Sequence, residues 1–494
     1  MPSLFDLQLF SSCLLYMFRF LKDCKGMFLR WLLVHLLPTV GFILALALLS
    51  HILRERRPPT STLAWLMAVI FIPYLGVPLY IMFGGRKMIS KAGGKPDLAQ
   101  NTRRAHEDPQ ISNVRVLEPD SGIFPAAADN RITLLPNGKQ AFQTILALIS
   151  NARHAICIAT FILGKDETGK AIVQALARKA AQGLNIYLLL DALGTVRISR
   201  AFLSPLLEAG GQVAFFMPML HLPFRGRANL RNHRKMLICD NHTAVIGGMN
   251  LALEYMGPRD TPGRWRDLSL TVQGPVVEHI WQVFRSDWAF SSKSPLETPS
   301  AAGHTRTPDL PDRSDINGLT QLVASGPDVR NDSLRNAILV EMFRAQRRIW
   351  IVTPYFVPDE LMLEALCIAV CRKVEVSIIL PKKSNHRLAD IVREGYLARI
   401  QEAGGSLWLY EPRMLHAKAI LVDDSIAMVG SANMDMRSML LNYEIALCVY
   451  DPEVIKKVES WMRELKLDCS SRELKPKRSF GLIESVARLF APLL

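Results

Sequence analysis

Two stretches near the start of the chain, Trp31 to Leu53 and Thr62 to Phe83, contain no Asp, Glu, Lys or Arg. Each exceeds the roughly 20 residues needed to cross about 30 Å of hydrocarbon as helix, so the pattern predicts a transmembrane hairpin over 31–87 with helices 31–53 and 62–83. A secretory signal is the competing reading, but the first run is too long for one and a second follows at once. The loop Arg54 to Ser61 is short, which puts both ends of the hairpin on one face of the membrane. Arg19, Lys22, Lys25 and Arg30 precede the hairpin, and Arg86, Lys87, Lys91, Lys95, Arg103 and Arg104 follow it, against Arg54, Arg56 and Arg57 in the loop. That asymmetry predicts a cytoplasmic position for the remainder. Leu7 to Phe18, within an N-terminal segment 1–30, is apolar but too short to span and reads as interfacial; residues 479–494 form a second amphipathic helical pattern.

Past the hairpin the pattern changes to short apolar runs alternating with amphipathic helical stretches, and it occurs twice. AICIAT at 155–160 and RIWIVT at 348–353 read as buried strands. Helical stretches follow at Gly169 to Gln182 and Asp359 to Cys371, then strands at Asn185 to Leu190 and Glu375 to Leu380. Glu-Ala-Gly-Gly at 208–211 runs into QVAFF, as Glu-Ala-Gly-Gly at 402–405 runs into SLWLY, each a helix end followed by a strand. The expectation is an α/β protein of two tandem halves, 131–290 and 316–478, joined by a Pro-, Ser- and Asp-rich linker at 291–315.

The length of 494 residues excludes a single small module, and 49% hydrophobic residues excludes disorder as the main character. With Lys+Arg at 59 and Asp+Glu at 45, the net charge of +14 asks for an anionic partner: nucleic acid, an anionic membrane or a phosphorylated small molecule. The eight cysteines follow no zinc spacing and no dense disulfide pattern, and Cys367 and Cys371 lie in an apolar helical stretch, so buried reduced thiols are expected.

The chemistry sits after the third strand of each half. Asn232-His233-Arg234-Lys235 leads into Met236 to Cys239, Asp240 and then Gly247-Gly248-Met249-Asn250; Leu415-His416-Ala417-Lys418 leads into Ala419 to Val422, Asp423 and Gly430-Ser431-Ala432-Asn433. Both read H-x-K-x4-D-x6-G-[GS]-x-N. On a strand, His and Lys two apart share a face, which sets a nucleophile or acid beside a fixed cation. Lys235, Lys418, Asn250 and Asn433 would meet the charge of a phosphodiester from two sides without a metal, and Ser431 could add a hydroxyl where the first half has Gly248. Asp240 and Asp423 belong to the motif, but four strand residues separate them from the lysines, so a strand-end role competes with catalysis. A reacting histidine also needs a partner on its second ring nitrogen. Asp267 and Glu444 each open a later strand, 34 and 28 residues past the histidine of their own half, and are expected to orient the two histidines.

This doubled motif resembles the signature of the phospholipase D superfamily. RRPPTSTLAW, IPYLGVPLYIMFGGRK, RNHRKM and RLFAPLL look like the bacterial cardiolipin synthases within it. The resemblance implies two phospholipase D-like halves sharing one active site in a multi-pass protein of the bacterial inner membrane. It implies transfer of a phosphatidyl group from one phosphatidylglycerol to another, releasing glycerol, through a phosphatidyl-histidine. His233 would be the nucleophile and His416 the acid and later the base. No cofactor, metal or nucleic acid is implied, and no protein partner is indicated. The alternative is a phosphodiesterase hydrolysing phospholipid or nucleic acid, with Arg225, Arg227, Arg231 and Arg234 as the basic run that would attract DNA.

Overall fold

The computed structural model describes residues 39–40, 42–43, 46–53, 59–83, 95, 98, 116–217, 230–296, 318–329 and 331–471. The segments expected at 1–30 and 479–494, most of the linker, and Arg225 and Arg227 lie outside them. The chain divides into two compact units, Met1–Arg86 and Lys87–Leu494.

In the first unit residues 46–53 are helical, and helices follow at Pro59–Phe71 and Pro73–Phe83. The uninterrupted span expected over 62–83 is therefore divided at Ile72. Proline has no N–H and its ring crowds the preceding turn, which accounts for a break before Pro73. Helical bonding bridges the break, since Ile72 N donates to Ala68 O at 3.1 Å and Gly76 N to Ile72 O at 2.7 Å. No helix among the described residues is long and apolar enough to cross a membrane. Ile52, Val69, Val77 and Tyr80 pack together, with Trp65 edge-on to Tyr80 at 5.4 Å, while Leu46, Leu53, Leu63, Met67, Ile70 and Phe71 are exposed.

The second unit is built on a 15-stranded sheet among the described residues. From one edge the first half runs Gln212–Phe216, Asn185–Asp191, Ala155–Thr160, Met236–Cys239, Thr243–Gly247, Ser269–Gln273 and Ala127–Leu135. The first three are parallel and the others join antiparallel. Gly318–Ser325 pairs with Ala127–Leu135 and passes the sheet to the second half. There Glu444–Val449, Ile426–Gly430, Ala419–Val422, Arg348–Val352, Glu375–Pro381 and Ser406–Tyr410 run through the equivalent strands in the reverse order, closed by Cys469–Ser471.

These strands form where the sequence is continuously apolar because both faces are covered; every residue of Thr243–Gly247 and Ile426–Gly430 is buried. The Glu-Ala-Gly-Gly signals end helices Arg200–Glu208 and Arg387–Ala403, with Gly210 and Gly404 at φ +91° and +107°, where a side chain would be strained. A single hydrophobic cluster draws on both halves, from Ile238 and Leu270 to Val352 and Leu447, so the halves share a core. Of the cysteines, Cys157, Cys239 and Cys448 are buried, but Cys367 is half-buried and Cys371 exposed. Their helix, Glu360–Cys371, turns Leu363 and Leu366 inward instead.

Candidate active site

His233 to Lys235 and His416 to Lys418 lie in extended segments immediately before strands Met236–Cys239 and Ala419–Val422, not within them. Each of these segments is held by the opposite half. His233 N donates to Tyr443 O at 2.9 Å and Tyr443 N to Arg231 O at 2.9 Å; His416 N donates to Arg266 O at 2.7 Å and Arg266 N to Met414 O at 2.8 Å. Tyr443 and Arg266 directly precede Glu444 and Asp267, so the same backbone bonds deliver a carboxylate to each imidazole.

The pairing is crossed. His233 Nδ1 lies 3.0 Å from Glu444 Oε1, and His416 Nδ1 lies 2.7 Å from Asp267 Oδ2. The sequence relates each carboxylate to the histidine of its own half, whereas in space each serves the other. Both carboxylates are completely buried. Burial alone would raise their pKa values, but His233 and Lys235 hold Glu444 below the usual range, and Lys418 and His416 do the same for Asp267.

The cations are buried too. Lys235 Nζ donates to His233 O at 2.7 Å, and Lys418 Nζ lies 2.7 and 2.9 Å from the two ring nitrogens of His416. Burial pulls Lys235 down to about 7 and Lys418 to about 8. It also lowers His233, and with Lys418 it lowers His416 to about 3. Lys418 contributes to the lowering at His233 and Lys235 to that at His416, which places the two motifs in one electrostatic site. Phe161 meets the His233 ring edge-on at 5.2 Å, and Tyr255 and Trp265 pack on His416 at 5.0 and 5.4 Å.

Other expected site residues are placed differently. Asp240 accepts from Arg153 N, His154 N and Ala155 N at 2.8, 2.8 and 3.0 Å, and Asp423 accepts from Gln346 N, Arg347 N and Arg348 N at 2.9, 2.8 and 2.9 Å. These carboxylates tie down strand entrances, so the structure does not bring them to the histidines, and a catalytic assignment is withdrawn for both. Ser431 is turned to Glu444, donating to Oε2 at 2.5 Å while its Oγ accepts from Ile445 N at 3.0 Å; it braces the carboxylate and does not present a hydroxyl to a phosphate. The same contact explains Gly248, where an added Cβ would lie 2.3 Å from Asp267 Oδ1. Asn250 Oδ1 accepts from Ile162 N at 3.1 Å, and the Asn433 side chain bonds Asp435. Each amide has two N–H hydrogens, so both side chains have donor capacity toward an anion.

A buried charge network escapes sequence reasoning. Arg234, completely buried, donates to Asp287 Oδ1 at 2.6 Å, Ser325 O at 3.0 Å and Glu444 O at 3.2 Å. Lys95 pairs with Asp287 and, at 2.7 Å, with Asp328. Asn232 reaches Asp287 Oδ2 at 3.1 Å, and its N–H reaches Asp191 Oδ2 at 2.9 Å. Arg231 and Arg234 are thus internal struts, not an exposed run for DNA, and Lys95 is not a surface charge. The available signal is Asp287 itself, which falls on the apolar stripe Ile280, Val283, Phe284 of helix Val276–Ser292. A carboxylate on such a stripe needs a buried cation.

Residues 145–288 and 338–466 match the family described as Cardiolipin synthase, PLD-like domain, and residues 43–85 match Phospholipase D-nuclease N-terminal. Cardiolipin synthase 1 of Bacillus anthracis is 35% identical over 464 residues, covering 89% of this chain and 90% of the relative. Cardiolipin synthase A of Pseudomonas putida is 32% identical over 488 residues, covering 94% and 97%. The crystal structure of phosphatidylserine synthase from Haemophilus influenzae Rd KW20 superposes with a TM-score of 0.51 at 16% identity, covering 74% of this chain and 93% of that one, which shows a shared fold.

Proposed function

The chain belongs to the cardiolipin synthase family of phospholipase D-like proteins, and from that premise we propose how its site makes cardiolipin from phosphatidylglycerol. The observation that carries the reading is the crossed pair of carboxylate–imidazole contacts, which makes one site of two motifs.

With Nδ1 donating to Glu444, His233 keeps a lone pair on Nε2. That nitrogen attacks the phosphorus, the bond to the glycerol oxygen breaks, and His416, which takes up a proton as the substrate anion binds, gives that proton to the leaving oxygen. The terminal hydroxyl of a second phosphatidylglycerol then loses its proton to His416 and attacks the phosphatidyl-histidine, breaking the P–N bond. Lys235, Lys418 and the amides of Asn250 and Asn433 offset the charge on the phosphoryl oxygens. His233 suits the nucleophile because its side chain is 12% exposed against 5% for His416.

The substrate never leaves the bilayer, and the first unit supplies the anchor in this reading. Exposed Leu63, Met67, Ile70 and Phe71 on helix Pro59–Phe71 suit lipid contact, and the excess of flanking Lys and Arg over those in the loop supports a cytoplasmic catalytic part. The test is purified full chain in vesicles with labelled phosphatidylglycerol. Cardiolipin and glycerol should appear in equal amounts without nucleotide and in the presence of chelator. Phosphatidic acid as the main product would make the protein a hydrolase, and dependence on a cytidine nucleotide would reject the mechanism.

A further inference from the structure

We propose that the face at the strand ends beside the two motifs is a bilayer-docking surface, with one loop and the helix start after it from each half set into the headgroup region of an anionic membrane. The proposal rests on the phosphatidyltransferase reading and adds the face by which the second unit meets its substrate's bilayer.

Topology brings the loops to the site. Strands Ala155–Thr160 and Asn185–Asp191 are parallel, and Ala159 lies opposite Met236, so the chain leaving Asp191 emerges at the same strand ends as the segment bearing His233. In the second half Arg348–Val352 and Glu375–Pro381 are parallel, and Val352 lies opposite Ala419, so the chain leaving Pro381 emerges beside His416. Each half thus contributes one loop to the rim of a shared site.

Aliphatic side chains are exposed in the first loop and, in the second half, on the first turns of the helix that follows the loop. Leu193 is 40% and Val196 67% exposed in the first. Leu388 and Ile391, 41% and 39% exposed, lie three apart on one face of helix Arg387–Ala403 in the second. Cations accompany them: Arg197 and Arg200 in one loop, Lys383 and Arg387 in the other, all exposed. Among the described residues no carboxylate forms an ion pair with these four. Asp191 is turned inward to Asn232 N and Leu193 N, Asp390 pairs with Arg393 and accepts from Ser384 N, Glu411 pairs with Lys382, and exposed Glu254, on the cavity that Val196 and Arg197 line, pairs with none of the four. At the opposite ends of the motif strands, the turns at 240–242 and 423–425 carry only polar side chains.

Aliphatic side chains interleaved with unpaired cations match an anionic lipid interface, where the first enter the acyl boundary and the second meet phosphates. A nucleic acid would use the cations but leave four aliphatic groups without a partner.

The test compares one enzyme on two forms of one substrate. Full chain in nanodiscs receives either long-chain phosphatidylglycerol in the bilayer or dihexanoyl phosphatidylglycerol dispersed as monomers. The variants are Leu193→Asp with Val196→Asp, and Leu388→Asp with Ile391→Asp. On the bilayer substrate each should lose at least tenfold in kcat/KM through a raised apparent KM, and on the monomeric substrate each should stay within about twofold of the parent. Hydrogen exchange of the unaltered chain, nanodisc against detergent, should show protection at 193–200 and 383–391 and none at 240–242 and 423–425. Equal losses on both substrates, no loss on either, or protection of the loops by duplex DNA and not by lipid would overturn the surface. Absence of transfer by the parent enzyme on both substrates would instead overturn the reaction.

Discussion

Each imidazole is fixed by a carboxylate from the other half, and the consequence at the scale of single residues is a set of charges tuned by burial. Glu444→Gln and Asp267→Asn keep the size of the side chain but remove the acceptor that holds Nδ1–H, so each should slow turnover by about 10²- to 10⁴-fold, as tautomer-fixing carboxylates do in hydrolytic triads. Melting temperatures near the parent's would confirm that chemistry and not folding is lost; rates within twofold of the parent would remove the role. The lysines give a second expectation. Their pKa values of about 7 and about 8 lie below the ordinary 10.5, so raising the pH through this range strips charge from the empty site. kcat/KM should therefore fall above about pH 7–8. A bound phosphodiester anion favours the protonated forms of Lys235, Lys418 and His416, so the corresponding limb of kcat should lie at higher pH, and binding should take up protons from weakly buffered medium. Proton release on binding would contradict this.

At the scale of elements, much was legible because local signals agree with the fold. The runs at 155–160, 212–216 and 406–410 are strands with the expected bounds, the last two entered from Gly211 and Gly405, whereas 236–239 and 419–422 are strands that begin only after the His and Lys expected to lie on them. Asp267 and Glu444 could be picked out as the carboxylates opening strands after the motifs. That they cross between halves could not, because the crossing depends on backbone pairs, Asn232 with Tyr443 and Arg266 with Leu415, remote in sequence. Arg234 reads as part of a DNA-attracting run for a related reason: a charge counts as surface until its buried partner, here Asp287, is known. The proline break at Ile72 was missed because an apolar count does not register backbone donors. Asp240 and Asp423 give the element-scale prediction. Asp240→Ala and Asp423→Ala each strand three strand-entrance amides and place alanine at φ +54° or +51°, so each should cost about 2–4 kcal/mol of stability. Turnover per folded molecule should stay within about tenfold; a complete loss with an unchanged melting curve would return these residues to the chemistry.

At the scale of the whole molecule, the two motifs act as a single site in this reading, because the halves share a sheet, a core and two exchanged carboxylates. Neither half holds a complete histidine pair with its own orienting groups, so replacing either histidine with alanine should abolish transfer, not halve it. The most direct measurement of this claim is the number and position of covalent phosphatidyl groups per chain. Full chain in vesicles is mixed with radiolabelled phosphatidylglycerol, quenched in alkaline detergent, where phosphoramidates persist, and mapped by peptide mass spectrometry. The account predicts at most one adduct per chain, on His233, absent from His233→Ala. Two adducts per chain, one on each histidine, would contradict it by showing two independent sites, and an adduct confined to His416 would reverse the roles assigned to the pair.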